Sequence, residues 1–237
     1  MSRGKRVPIL YEDDWIIVCE KPIGMPTQGD SSRDMDVETY LKHLLYERQE
    51  GEQEPYLAVV HRLDRPVGGL MVFAKTREAV AGLSLQIQKH EFEKCYQAIV
   101  CGSLPEEAGT FEDDLLRDGR SNTTSVVAPG TKGARHAVLD YELIDEIETK
   151  DGILSWVLIY LETGRHHQIR VQFASRGLGL YGDTKYNPGF QKKKRHYTEL
   201  GLYSTRVAFT HPVTGEEKDF KVDPRGEAFD LMDVEAY

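Results

Sequence analysis

Short segments in which apolar and polar residues alternate dominate this chain and limit the folds open to it. They are most frequent in the second half, where Lys94–Cys101, Ala137–Ile147 and Leu154–Glu162 have the period of two that is typical of half-buried strands. Hairpin-like turns, such as Lys150-Asp151-Gly152, separate several of them. We therefore predict an α+β fold with a mixed, largely antiparallel sheet and flanking helices.

The remaining predicted elements are further short strands and a few helices. The strands are Val7–Tyr11, Trp15–Glu20, Tyr56–Val60, Leu70–Ala74, Leu202–Phe209 and Lys218–Val222, and the helices are Asp36–Gln49, Arg77–His90 and His166–Ser175.

Length and composition describe an ordinary globular chain of 237 residues. No apolar run approaches the roughly 18 residues that span a bilayer, so we expect no membrane association. The three cysteines, Cys19, Cys95 and Cys101, form no Cys-x-x-Cys pair, which predicts buried thiols and a cytoplasmic location. No set of His and Cys residues has the spacing of a metal site, so we expect no metal. The absence of a heptad or large apolar stripe predicts a monomer.

The net charge of −9 argues at first against a nucleic-acid partner. Its distribution changes that conclusion, because Arg165–Arg195 contains eight basic residues and one acidic residue. Since screening confines each charge to roughly 8–10 Å, this basic segment can bind a polyanion although the rest of the chain is acidic.

Three polar segments stand where the surrounding pattern predicts strands or the start of a helix. His61–Leu70 places a carboxylate between two guanidinium groups, which is typical of either a functional site or a structural ion-pair turn. Tyr96 lies in an alternating strand, where simple core packing is the alternative. Thr163–Arg170 collects polar donors at a predicted helix start, which is typical of an anion site or of a solvated helix end.

Together these segments resemble the RluA-type RNA pseudouridine synthases. The signature of that family, His-Arg-Leu-Asp followed by a Gly-containing turn and an apolar strand ending in Ala-Lys, stands at His61–Lys75. Four further elements follow the family order. They are Lys21–Gly24, Lys94–Ala98, Gly164–Arg170 with Gly182-Asp183 after it, and His211-Pro212.

The resemblance implies an enzyme with the pseudouridine synthase fold that isomerises uridine in ribosomal RNA or tRNA to pseudouridine, without a cofactor. It implies that Asp64 is the catalytic carboxylate, that Arg170 pairs with it, and that Tyr96 stacks on the target base. Arg62 would enter the RNA stack where the nucleotide is flipped out. Arg165 and His167 would contact phosphates.

The chain departs from the family pattern in two respects. Val67-Gly68-Gly69 replaces the Thr-Ser-Gly that often follows the Asp motif, which removes a hydroxyl near the site. We also expect one catalytic domain over residues 1–237, without the N-terminal S4 domain that many relatives carry. The cluster Lys192, Lys193 and Lys194 is a candidate for an additional RNA contact, with a solvated loop as the alternative.

The sequence offers two alternatives to this interpretation. Gly177–Gly182 fits Gly-x-Gly-x-x-Gly, but it follows a predicted helix rather than a strand, so we expect no nucleotide cofactor. A non-catalytic RNA-binding or RNA-folding factor on the same fold is the alternative to an enzyme.

Overall fold

The computed structural model describes residues 6–30, 32, 34–48, 53–150, 152–191 and 198–233. Strands outnumber helices in this part of the chain, as the α+β prediction requires. The elements in chain order are β1 (Ile9–Glu12), β2 (Ile16–Lys21), α1 (Val37–Arg48), β3 (Ala58–Val59), β4 (Gly68–Ala74), α2 (Arg77–Gln88), β5 (Glu93–Cys101), β6 (Ala108–Asp118), β7 (Thr123–Val127), β8 (Arg135–Thr149), β9 (Gly152–Leu161), α3 (Gln168–Ser175), α4 (Pro188–Gln191), β10 (Leu202–Thr210), β11 (Glu217–Lys221) and α5 (Glu227–Asp233).

The chain forms two compact units, and each is discontinuous in sequence. The first comprises Met1–Glu93 and Ser204–Asp223, and the second comprises Lys94–Tyr203 and Pro224–Tyr237. One catalytic domain over residues 1–237 stays a prediction. Among the residues that the structure describes, no helix has both the length and the apolar character needed to cross a membrane.

The first unit is built on strands in the order β1-β2-β4-β10-β11, with β3 also paired to β4. Every residue of β2 and β4 is buried, so these strands are covered on both faces. Helix α2 supplies Ala79 and Leu83 to a core that also contains Val72 of β4 and Phe209 of β10. The helix begins at an N-cap, because the hydroxyl of Thr76 accepts a hydrogen bond from the Ala79 amide.

Gly69, which follows the His-Arg-Leu-Asp motif, allows β4 and β10 to approach closely. Its φ is +114°, a conformation that residues with a Cβ rarely adopt. A Cβ at this position would lie 2.2 Å from the carbonyl oxygen of Ser204. The glycine retained from the family pattern therefore has a structural reason here, because no side chain fits between the two strands.

A partly buried hydrogen-bond network joins the first hairpin of this unit to the residue after β10. The Oδ1 of Asp13 accepts from the amides of Trp15 and Ile16, both at 2.8 Å. Its Oδ2 accepts from the hydroxyl of Tyr11 at 2.8 Å and lies 2.9 Å from Nε2 of the fully buried His211.

The backbone fixes the tautomer of His211 in this network. Its Nδ1 accepts from the amides of Val213 and Thr214, at 3.3 and 3.0 Å, so the ring proton lies on Nε2 and is donated to Asp13. Burial raises the pKa of Asp13, but the four donors together hold that pKa below its ordinary value.

Asp13→Asn is expected to lower the free energy of unfolding by about 1–3 kcal/mol at pH 7, because the amide places a donor against the donors of Tyr11 and His211. A lowered folded-state pKa stabilises the fold above the unfolded pKa of about 4, and this contribution disappears as the pH falls further. Chemical denaturation at pH 7 and pH 3.5 measures both effects, with the exposed Asp14→Asn as the control. A difference between Asp13→Asn and wild type that grows towards pH 3.5 would contradict this account.

The second unit is an antiparallel arrangement of strands in the order β5-β9-β8-β6-β7. Helix α3 packs on β6 and β7. Its Phe173 is fully buried and contacts the rings of Phe111 on β6 and Tyr141 on β8, with centroids 4.9 and 6.0 Å apart. This packing fixes the position of the helix that carries Arg170.

The sequence pattern did not predict β6, β7 or α5. β6 contains Glu112-Asp113-Asp114 in mid-strand, so the alternation is hidden, and its only buried side chains are Phe111 and Leu115. Cross-strand pairing to β8 maintains it as a strand. Tyr56–Val60 was predicted as a strand, but only the two residues of β3 pair.

Candidate functional site

Asp64 lies in the irregular segment between β3 and β4 of the first unit and is half-buried. Its backbone carbonyl accepts a hydrogen bond from the Val67 amide at 3.0 Å, which closes a turn over Arg65 and Pro66. Arg62 is exposed on the preceding loop. A turn therefore follows the motif with Asp64 at its first position, but it contains no glycine, because Gly68 and Gly69 already belong to β4.

His61 has a structural contact within this motif. Its Nε2 accepts a hydrogen bond from the Val72 amide of β4 at 3.0 Å, and its ring contacts Phe92, with centroids 5.3 Å apart. The side chain therefore ties the beginning of the motif to the strand that follows it.

Arg65, the residue after Asp64, is exposed and is held by a short acidic segment. Its guanidinium donates to the hydroxyl of Ser32 at 2.9 Å and forms ion pairs with Asp30 and Asp34. A hydrogen bond from Arg65 is the main reason that the pKa of Asp34 is below its ordinary value. Ser32, Asp30 and Asp34 therefore hold the guanidinium of Arg65 in a defined position.

Tyr96 of the second unit is 6% exposed on β5, where it lies opposite Ile159 of β9. Two residues earlier, Lys94 approaches the glycine of the third motif: a Cβ at Gly164 would lie 3.8 Å from its Nζ. Burial lowers the pKa of Lys94. Two of the predicted motifs, which are about 70 residues apart in sequence, are thus neighbours in this unit.

The loop before α3 is held by the helix's first side chain. Gln168 is buried, and its Oε1 accepts from the Thr163 hydroxyl at 2.8 Å and the Arg165 amide at 3.0 Å. His167 has a φ of +55° at the N-cap, so the helix begins at Gln168, two residues later than predicted. Arg165 donates from Nε to the carbonyl of His136 at 2.8 Å.

Arg170 forms a buried, bidentate ion pair with Asp183. Its Nε and one terminal nitrogen each lie 2.8 Å from a carboxylate oxygen, and the two residues are 5% and 1% exposed. Burial raises the pKa of Asp183, but the hydrogen bonds and charge of Arg170 and the amides of Lys185 and Tyr186 hold it below the ordinary value. Asp183 therefore uses two of the five donors of the guanidinium and fixes its plane.

Two stacked histidines lie beside this pair, and Tyr186 and Thr124 hold their rings. The rings of His166 and His167 have centroids 3.7 Å apart. Nδ1 of His166 lies 2.8 Å from the Thr124 hydroxyl, and Nδ1 of His167 lies 2.6 Å from the Tyr186 hydroxyl. His167 is 8% exposed, which leaves little of its ring for the predicted phosphate contact.

The sequence interpretation did not assign roles to Asp183, Tyr186, Thr124 and Gln168. The Gly182-Asp183 element was one signal, because it belongs to the family pattern. Lys192, Lys193 and Lys194 lie outside the described residues. Within the described ranges, no group of three or more His, Cys, Asp or Glu side chains is arranged to hold a metal ion, and a reaction without metal or cofactor stays a prediction.

Comparison with known proteins identifies the family. The family model described as RNA pseudouridylate synthase matches residues 15–175, which include Asp64, Tyr96 and Arg170. The chain belongs to this family, and the resemblance to the RluA-type enzymes is confirmed.

Two curated relatives illustrate the similarity in sequence. The chain is 34% identical over 225 residues to ribosomal large subunit pseudouridine synthase D of Vibrio cholerae, covering 90% of this chain and 65% of the relative. It is 35% identical over 208 residues to an uncharacterized RNA pseudouridine synthase of Bacillus subtilis, covering 88% and 65%. The chain thus spans about two thirds or slightly less of the length of these relatives.

Solved structures confirm the predicted class of fold. Human RNA pseudouridylate synthase domain containing 1 matches with a TM-score of 0.75 and 19% identity, over 94% of this chain and 86% of that chain. The human domain containing 4 protein matches with a TM-score of 0.73 and 22% identity, over 92% and 89%. The fold is therefore the α+β fold of pseudouridine synthases.

Proposed function

We propose that this chain isomerises uridine in RNA to pseudouridine, with Asp64 as the catalytic carboxylate. The observation that carries the proposal is the family match over residues 15–175, within which Asp64 stands at the family's Asp position on a closed turn. The name of the Vibrio cholerae relative directs the choice of substrate to RNA of the large ribosomal subunit, with tRNA as the alternative.

The reaction balances without an oxidant, reductant or co-reactant, since uridine and pseudouridine are isomers. The bond between N1 and the ribose C1′ breaks, and a bond between C5 and C1′ forms. C5 loses a proton and N1 gains one. Two routes are open to an ionised carboxylate at the electron-poor sugar. It bonds to C1′ as N1 leaves and is released when C5 bonds to C1′, or it removes the 2′ proton as N1 leaves and returns that proton when C5 bonds to C1′.

The other predicted residues support this chemistry in distinct roles. Tyr96 stacks on the base and assists loss of the C5 proton in this proposal, as the family resemblance implies. Exposed Arg62 takes the place of the flipped nucleotide in the RNA, because the glycosidic bond is otherwise inaccessible. Arg165 contacts phosphate. The pairing of Arg170 with the catalytic carboxylate, the monomeric state and the cytoplasmic location stay predictions.

Mapping of pseudouridine in cellular RNA tests the proposal. RNA from cells that lack the gene is incubated with wild-type protein or Asp64→Ala, and carbodiimide-blocked reverse transcription locates the products. New stops in large-subunit RNA with wild type alone are expected. Stops found only in tRNA would show that tRNA, rather than large-subunit RNA, is the substrate. Binding of RNA without any new stop would favour a non-catalytic RNA-binding factor.

A further inference from the structure

Lys21 is a fully buried lysine at the end of β2, and its ammonium group is surrounded by backbone carbonyls. Its Nζ donates to the carbonyl oxygens of Pro22 at 3.1 Å, Met25 at 2.6 Å and Arg65 at 3.1 Å. Three acceptors match the three N–H bonds of the ammonium group, so they offset the cost of removing the charge from water. Arg65 is the residue that follows the proposed catalytic Asp64.

The same segment also holds the other side of Asp64. The hydroxyl of Thr27, which is 4% exposed, donates to the carbonyl of Leu63 at 2.8 Å. The amide of Gly24 donates to the carbonyl of Arg65 at 2.9 Å. The carbonyls immediately before and after Asp64 are therefore both bound by residues 21–27, a segment about 40 residues away in sequence.

We infer that Lys21 and Thr27 are positioning residues that clamp the backbone on both sides of Asp64 and so fix the direction of its carboxylate. The inference rests on the proposed function. The turn at Asp64 lies between two strands and is closed by a single backbone hydrogen bond from Val67. The segment 21–27 adds three hydrogen bonds, from Lys21, Gly24 and Thr27, and all three end on the two carbonyls that flank Asp64.

The clamp acts on the rate of reaction rather than on RNA binding. A carboxylate that reacts with one atom of an extruded sugar must be placed closely, and a displacement of about 1 Å can cost on the order of 100-fold in rate. Phosphate contacts elsewhere on the protein do not depend on that direction. Loss of the clamp should therefore lower the rate constant for the chemical step and leave the dissociation constant for RNA nearly unchanged.

Thr27→Val is the sharpest test, because valine keeps the shape and removes only the hydroxyl. The nearby Met71 sulfur, 3.6 Å from the hydroxyl, offers an apolar neighbour for the new methyl group. We expect the single-turnover rate of pseudouridine formation to fall roughly 10- to 100-fold relative to wild type, measured on RNA from cells that lack the gene. The dissociation constant for RNA is expected to stay within about twofold of the wild-type value. Thr27→Ser, which retains the hydroxyl, is expected to recover most of the rate.

Two further variants complete the design. Lys21→Met removes all three donors and is expected to lower the rate further than Thr27→Val; if it fails to fold, the two Thr27 variants still decide. Thr131→Val is the matched control, because it removes a hydroxyl that donates to the Ala128 carbonyl at 2.6 Å in the second unit. Its rate should stay within twofold of wild type.

The outcomes separate the clamp from the proposed function. If Asp64→Asn is inactive but Thr27→Val reacts at the wild-type rate, the clamp is overturned and the function stands. A wild-type rate for Asp64→Asn would remove the catalytic assignment and the clamp together. An equal loss in Thr27→Val and Thr27→Ser, or a loss confined to RNA affinity, would also overturn the clamp.

Discussion

Asp64→Asn should reduce the single-turnover rate of pseudouridine formation by on the order of 10⁴-fold or more, as removal of an essential catalytic group does in other enzymes. The amide has the shape of the carboxylate but can neither bond to C1′ nor remove a proton. RNA affinity is expected to change less than about threefold, because phosphate contacts supply most of the binding energy. Rapid-mixing kinetics with saturating enzyme and a filter-binding titration measure the two quantities.

The matched control is Asp223→Asn, which alters an exposed carboxylate of the same unit. It should leave the rate and the affinity unchanged. A rate for Asp64→Asn within tenfold of wild type would remove Asp64 from the reaction. Thermal unfolding of each variant establishes that a lost rate does not arise from a lost fold.

Asp183→Ala should lower the free energy of unfolding by about 3–5 kcal/mol at pH 7, because it leaves the buried Arg170 without the carboxylate that it pairs with. This corresponds to a fall in Tm of about 10 °C for a chain of this size. Since the pKa of Asp183 is lowered in the fold, its contribution is present above about pH 4 and disappears as the pH falls further. The exposed pair Lys218–Glu216 supplies the control, and Glu216→Gln should leave Tm unchanged.

Arg170→Lys tests whether the ion pair of Arg170 and Asp183 affects the rate of pseudouridine formation. An ammonium group cannot reproduce two parallel hydrogen bonds to Asp183, so the rate is expected to fall about 100-fold while RNA affinity stays within about threefold. Equal single-turnover rates for wild type and Arg170→Lys would show that the bidentate geometry has no part in the reaction. A drop in Tm of less than about 3 °C for Asp183→Ala would show that the fold tolerates the loss of this carboxylate beside Arg170.

Much of the fold could be predicted from local sequence because its buried strands are strongly apolar. β2 and β4 were predicted to within two residues, since Ile, Val and Phe runs next to Gly and Pro leave few alternatives. β6 was missed because its stability depends on pairing with β8 rather than on its own pattern. Whether such a segment forms a strand depends on its neighbours in the folded protein, and a single sequence does not reveal those neighbours.

In the candidate site, too, some features could be predicted from the sequence and others could not. Asp64, Tyr96 and Arg170 are candidates because the family motifs mark them, and their roles stay predictions. The partners of these residues could not be predicted from the sequence, because they are brought together only by the course of the folded backbone. Examples are the contact of Arg170 with Asp183 and that of Lys21 with the carbonyl of Arg65. A lysine between an apolar strand and a proline reads as a surface residue in the sequence, although its side chain is fully buried.

The interrupted course of the first unit has a consequence for synthesis on the ribosome. Val207 and Phe209 of β10 belong to the same core as Ile16, so that core is incomplete when residue 93 leaves the exit tunnel. At about 5–20 residues per second, β4 has β2 and β3 but not yet β10 as a partner for several seconds while the intervening segment is translated. We expect slow codons placed before Ser204 to lengthen that interval and to lower the yield of folded protein without altering the protein that is finished.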